Sequence, residues 1–246
     1  MRNILAAIEA KQSIYAQSAL FEFMQNKSIP PLERLAFVPC SASFILGFTD
    51  ICKYAFRQEP ANSKVQAILN QHTYEDGDHW KWFIEDMASL GFNSQLQMND
   101  ALNFLWHDET KISRLVVYKL YQYIVQSSAI EKLVILETIE STADIFFSST
   151  KKVTDELHQT TRIKYKYFGG LHLAAEQGHE AHSDDVHEYI KNIRLDKKTT
   201  ERCLELVEKV YELFKQWNQG LLRYALAYQQ KQLLERLEVE RMLKTV

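Results

Sequence analysis

The sequence has 246 residues, 46% of them hydrophobic and 25% charged, which is typical of a globular chain long enough to bury a substantial core. The net charge of -3 gives no electrostatic attraction to nucleic acid or to an anionic membrane, so we predict neither as a partner. Only seven glycines and four prolines occur, and a strand-rich fold needs more turns than these supply. The composition therefore favours long helices joined by short loops.

The sequence also predicts a cytoplasmic protein. The chain opens without the charged and apolar stretches of a signal peptide, and it has no run of the about 20 apolar residues that span a bilayer. The three cysteines, Cys40, Cys52 and Cys203, are odd in number and lack CxxC spacing. Reduced thiols are the simplest interpretation of that pattern.

Helical periodicity begins near the first residue and recurs almost throughout the chain. The first helical segment is predicted to end at KSIPP, residues 27–31, because paired prolines stop one helix and can start another. Residues 31–56 are strongly apolar and predict a largely buried helix with a kink at Pro39.

Two long helices are predicted in the middle of the chain. The first covers residues 64–91, with Asn62 or Ser63 as its N-cap and Gly91 as its end. The second covers residues 130–159 and has an apolar period of the helical type.

The remaining segments complete a single all-α domain. Glycines at 169–170 interrupt the pattern, and the last helix is predicted to begin at a threonine cap at 199–200. No internal repeat, low-complexity linker or composition shift marks a domain boundary. We therefore predict one helical domain of about seven to nine helices over residues 1–228, followed by a charged helical tail over residues 229–246.

The histidines are unevenly placed, and none precedes His72. The segment HTYEDGDHW carries His72, Glu75, Asp76 and His79, which share about 100° of arc if the segment is helical. Such a group of imidazoles and carboxylates on one face is a candidate set of metal ligands.

A second group occurs in HLAAEQGH, residues 172–179. His172, Glu176 and His179 lie within about 60° of one another on one helical face. Three ligand-type side chains over two turns can hold a metal ion, but they can also form a solvated polar stripe.

Between these groups, LVILETIESTADIFF places a carboxylate on a helix that is apolar over most of its circumference. Glu140 is the principal candidate, and Glu137 is a weaker one on the same face. A helix of this kind is buried, and a buried carboxylate must be paired, protonated or bound to metal.

Three helices together offer about six nitrogen and oxygen ligands, and helix bundles hold two irons with inward carboxylates and Glu-x-x-His pairs. Imidazole and carboxylate without thiolate suit iron or manganese, with zinc as a further possibility. The predicted ligands are Glu75, His79, Glu140, His172, Glu176 and His179, with His72, Asp76 and Glu137 as weaker candidates.

At these residues the chain resembles the heme-oxygenase-like diiron oxidases and oxygenases. The similarity is closest to the branch of the chlamydial death-domain-associating protein (CADD-like) and of the iron-containing redox enzymes. EDGDHWKWFIEDMASLG, LETIESTADIFF and the opening IPPLERLAF carry the resemblance, which covers roughly residues 10–228. It implies a heme-oxygenase-like bundle, two irons without heme, activation of O2, a small organic substrate and a homodimer.

Carried over by residue, the resemblance makes Glu75, His79 and Glu140 ligands from the first two ligand helices. It makes His172, Glu176 and His179 the ligands of the third. The family separates its first Glu and His more widely than Glu75 and His79, so His72 or Asp76 is an alternative to Glu75, and Glu137 is an alternative to Glu140.

Several other functions are consistent with the fold. Two of them are disfavoured. A heme oxygenase requires a proximal histidine in the first helix, and this chain has none before His72. A thiaminase-II-like enzyme uses a catalytic cysteine, and nothing around Cys40 or Cys52 resembles its site. A cofactorless oxidase similar to pyrroloquinoline-quinone synthase would use the histidines to bind substrate. A non-enzymatic adaptor would use the charged tail to engage a partner helix.

The apolar segment 37–48 adds a second reason to expect a homodimer.

Overall fold

The computed structural model describes residues 1–178 and 183–243, and for residues 176–178 and 235–243 it describes only the course of the backbone. Every regular element in this part of the chain is helical, which confirms the predicted all-α class. The twelve α-helices are α1 (Arg2–Tyr15), α2 (Ala19–Gln25), α3 (Pro31–Arg34), α4 (Val38–Ile51), α5 (Lys64–Glu75), α6 (His79–Ser89), α7 (Met98–Trp106), α8 (Lys111–Val125), α9 (Ala129–Thr161), α10 (Gly170–Gly178), α11 (Asp184–Asn192) and α12 (Lys197–Leu243).

The described residues form more helices than the predicted seven to nine, because three predicted helical segments are interrupted. The first is divided into α1 and α2. The segment 31–56 contains α3, α4 and a π-helical turn over Cys52–Phe56. The predicted kink at Pro39 is wrong: Pro39 lies in the first turn of α4, where its missing N–H costs no hydrogen bond. The segment 64–91 is divided by a 3₁₀ turn over Asp76–Asp78.

Two of the predicted boundaries are confirmed and one is wrong. The Ser63 hydroxyl accepts the backbone N–H of Gln66 at 3.1 Å and caps α5. Gly91 follows α6 with φ of 82°, a conformation that favours glycine at a helix end. The predicted threonine cap at 199–200 is wrong, because α12 begins at Lys197 and the Asp196 carboxylate accepts the N–H of Thr199.

Helix α9 is central to the fold and packs against α1, α2, α5, α10 and α12. Four consecutive residues, 133–136, are each at most 3% exposed, so neighbours surround the helix on every side at this level. A capping box between Ser128 and Glu131 fixes its start. This helix carries Glu140, and its burial brings that carboxylate into the interior.

The apolar surface of α4 is largely covered within the single chain. Phe44 and Ile45 are at most 8% exposed, whereas Leu46 is 37% exposed. The homodimer prediction therefore loses the support that it drew from this segment.

Helix α12 continues through the predicted boundary between domain and tail at residue 228. No helix in the described part of the chain has both the length and the apolar character to cross a membrane.

Candidate metal centre

Glu140 meets two side chains from the region where α5 ends. His72, in the last turn of α5, lies 2.8 Å from Asp76 (Nε2 to Oδ2) and 3.2 Å from Glu140 (Nε2 to Oε1). These side chains are 1%, 6% and 15% exposed, respectively. One ligand atom from each residue lies within 4.8 Å of the other two, which makes them a candidate group for a common metal ion.

Asp76 connects this group to a second histidine. Its other oxygen, Oδ1, lies 3.5 Å from Nδ1 of His79, the first residue of α6. One carboxylate thus faces His72 with one oxygen and His79 with the other. The 3₁₀ turn between α5 and α6 carries Asp76, and it brings the two histidines to opposite sides of the same side chain.

His172, on α10, completes the described part of the cluster. Its ring lies 4.5 Å from the ring of His79, and it is 2% exposed. Nδ1 of His172 lies 3.0 Å from the carbonyl oxygen of Tyr167. Because a carbonyl oxygen only accepts hydrogen bonds, Nδ1 is the donor, and in the neutral imidazole Nε2 then holds the lone pair that a metal ion requires. His79 stacks on Trp82, with ring centroids 4.6 Å apart.

The donor types and their separations fit a transition-metal site. Nitrogen and oxygen ligands lie about 2.0–2.2 Å from such an ion, so neighbouring ligands are about 3.0–3.5 Å apart. The distances from His72 to Asp76 and to Glu140, 2.8 and 3.2 Å, are close to that range. Imidazole and carboxylate ligands together suit iron, manganese or zinc.

In the metal-free protein these contacts also control protonation of His72. Burial opposes the charged imidazolium, but the negative charges of Asp76 and Glu140 outweigh burial and raise the pKa of His72 well above its usual range. A metal ion that binds Nε2 must therefore displace a proton, and its affinity is expected to increase with pH.

The raised pKa of His72 predicts a pH dependence of stability. A group with a raised folded-state pKa contributes stability that is fully present below its unfolded pKa, about 6.5 for histidine, and is lost as the pH rises through the folded value. In chelator-treated protein, wild type should exceed His72→Gln in free energy of unfolding by more at about pH 6 than at about pH 10. Urea unfolding at both pH values measures this, and a difference that does not change with pH would contradict it.

A cavity of about 70 Å³, counted as space for the centres of water-sized molecules, borders the cluster. Since one water needs about 10–15 Å³ of such space, the cavity has room for a few water molecules. Its ionisable lining includes Asp76, His79, Glu140 and His172. Its remaining walls are mainly aromatic and include Tyr15, Phe44, Phe48, Phe146, Phe147 and Trp217.

The other predicted ligands have different surroundings. Glu75 accepts a hydrogen bond from the Gln71 side chain at 2.8 Å on its own helix, and the group of three candidate metal ligands contains His72 and Asp76 instead. Glu137 lines a surface groove that Glu140 also borders. Glu176 lies in α10, but its side chain is outside the described part of the structure, and His179 lies outside the described residues altogether.

The sequence contains a signal for the role of His72 and Asp76. A histidine, an acidic residue four positions later and a second histidine three positions after that occur at His72, Asp76 and His79. The same spacing recurs in the segment 172–179. The repeated spacing includes Asp76, three positions before His79, and leaves out Glu75, which is four positions before it.

The chain matches no protein-family model, and no curated protein is detectably similar to it. The assignment of a function to this centre therefore depends on its own geometry.

Proposed function

We propose that this protein binds two divalent metal ions, iron in its working form, and uses O2 to oxidise a small organic substrate. The observation that supports this most directly is the Asp76 carboxylate, whose two oxygens face two different histidines. Carboxylates and histidines directed inward from several helices are the ligands of diiron helix bundles.

The residues divide into two ligand sets around Asp76. His72, Glu140 and one oxygen of Asp76 would hold the first ion. His79, His172 and the other oxygen of Asp76 would contribute to the second. The sequence offers Glu176 and His179 as further ligands on the His172 side.

A pair of ferrous ions, when bound, would supply two of the four electrons that reduce O2 to water, and the organic substrate would supply the other two. The protein's own contribution is to hold charge and exclude water. Asp76 and Glu140 would offset the positive charge of the ions, and the Tyr167 carbonyl accepts the Nδ1 hydrogen of His172, which leaves Nε2 as its ligating nitrogen. Aromatic walls such as Phe44 and Phe147 favour an apolar substrate and limit access of water to the reacting atoms.

A second function is supported by the same contacts. His72 already has two carboxylate neighbours in the interior, so the group forms a plausible structural ion cluster without metal. On that interpretation the protein is a non-enzymatic helical adaptor. A third interpretation, a cofactorless oxidase, draws on the aromatic cavity beside His79 and His172.

Metal content and O2 uptake separate these functions. Chelator-treated protein is loaded with Fe(II) without oxygen, desalted and analysed, and we expect about two ions per chain. Admission of air should then cause O2 uptake by the iron-loaded protein, with metal-free and zinc-loaded protein as controls. Protein that retains iron, manganese or zinc far below one ion per chain would contradict the proposal and favour the adaptor or the cofactorless oxidase.

A further inference from the structure

Asp86 is a buried carboxylate outside the ligand cluster, on the same helix as His79. It is 1% exposed, and its oxygens accept the backbone N–H of Lys166 at 2.8 Å and of Phe168 at 2.9 Å. Burial raises the pKa of the Asp86 carboxyl, and hydrogen bonds from backbone N–H groups offset part of that desolvation cost. Asp86 thereby fixes the segment that leads into α10.

The fixed segment holds His172 from its other side. The Tyr167 carbonyl accepts the hydrogen of His172 Nδ1 at 3.0 Å, and the Lys166 carbonyl accepts the backbone N–H of His172 at 3.1 Å. The Tyr167 carbonyl and the Phe168 N–H belong to one planar peptide group. A single peptide therefore donates to Asp86 and accepts from His172.

This arrangement forms a continuous chain of hydrogen bonds. The negative charge of Asp86 attracts the hydrogen of the peptide, which polarises the Tyr167 carbonyl and strengthens its bond to Nδ1 of His172. In many metalloproteins a carboxylate or a carbonyl that accepts the second N–H of a ligating histidine fixes its tautomer and increases its basicity. Here the carboxylate is one peptide farther away.

Asp86 also links the positions of two histidines, His79 and His172. It follows His79 by seven residues, which places both side chains on the same face of α6. The ring of His79 lies 4.5 Å from that of His172, which the Asp86 segment holds. One helix thus carries one histidine and positions the other.

We propose that Asp86 is a positioning residue for His172, acting through the peptide between Tyr167 and Phe168. It holds the Nδ1-protonated tautomer and keeps Nε2 available to a metal ion. The part of this inference that concerns metal affinity rests on the proposed function, whereas the part that concerns the tautomer does not.

The test compares Asp86→Asn with a matched control at the preceding residue. An amide at position 86 has one acceptor oxygen, and its NH₂ opposes one of the backbone donors. Glu85→Gln removes the exposed ion pair between Glu85 and the Lys166 side chain but leaves the backbone contacts in place. Co(II) titration of chelator-treated protein should show an affinity at least about tenfold weaker for Asp86→Asn, and no comparable loss for Glu85→Gln.

The second readout is the tautomer of His172 in metal-free protein, from ¹⁵N-labelled histidine and assignment with His172→Gln. Wild type and Glu85→Gln should show the Nδ1-protonated form, and Asp86→Asn should show an increased share of the Nε2-protonated form. An Nε2-protonated His172 in wild type, or equal Co(II) affinities and tautomers in both variants, would overturn the inference. If Asp86→Asn does not fold, the wild-type tautomer alone decides. Wild type that shows the expected tautomer but binds no Co(II) would refute the proposed function and leave the tautomer inference standing.

Discussion

Asp76→Asn is expected to reduce bound iron from about two ions per chain to less than about one. Asp76 faces His72 with one oxygen and His79 with the other. An amide keeps a single acceptor oxygen and loses the negative charge, so it cannot serve both ions. Metal analysis after anaerobic Fe(II) loading measures the loss, and O2 uptake should fall with it.

The chain offers a control two residues away. Asp78 lies in the same 3₁₀ turn, but its side chain is 77% exposed and pairs with Lys81. Asp78→Asn removes the same charge at the surface and should leave metal content unchanged. If Asp76→Asn keeps its iron and only its melting temperature falls, the cluster stabilises the fold without binding metal, and the proposed metal centre is wrong.

Gly169→Ala is expected to destabilise the fold by ~2–3 kcal/mol and to weaken metal binding as well. A Cβ at this position would lie 2.1 Å from the Tyr165 carbonyl oxygen. Both atoms are held by the backbone, so no side-chain rotation can separate them. The turn must therefore open, which displaces the Tyr167 carbonyl that holds His172. Urea unfolding and Co(II) titration of the same preparation measure the two effects.

Gly77→Ala provides the comparison for this substitution. Gly77 lies in the turn beside Asp76, yet a Cβ there has no atom within 4 Å. It should change stability by less than about 1 kcal/mol. A Gly169→Ala protein that is as stable as Gly77→Ala and binds Co(II) as tightly would show that the turn before α10 does not position His172.

The helical class could be predicted from the sequence, but the interruptions could not. Ser63 and Gly91 are local signals, and both act as the sequence indicates. The turn between α5 and α6 also has a local signal, because Asp76, Gly77 and Asp78 are short polar residues and a glycine, which favour turns. Apolar periodicity continues across them, however, and a prediction from periodicity passes over the break.

The candidate site was predictable where one helix carries the information. Glu140 could be identified because a carboxylate interrupts an apolar helix. The resemblance makes Glu75 a ligand with Asp76 as its alternative, and it is Asp76, in the 3₁₀ turn, that lies beside His72 and Glu140. Asp86 could not be found in this way, because its partner Phe168 is 82 positions away and only the tertiary fold brings them together.

Anomalous X-ray diffraction at the iron edge, from crystals of the Fe(II)-loaded protein grown without oxygen, tests the central claim most directly. We expect two iron peaks about 3.5–4 Å apart. One should lie between His72 and Asp76, and the other on the His79 and His172 side of the same carboxylate. Iron-loaded crystals with no anomalous peak within bonding distance of Asp76, and with His72 still in contact with both carboxylates, would contradict it.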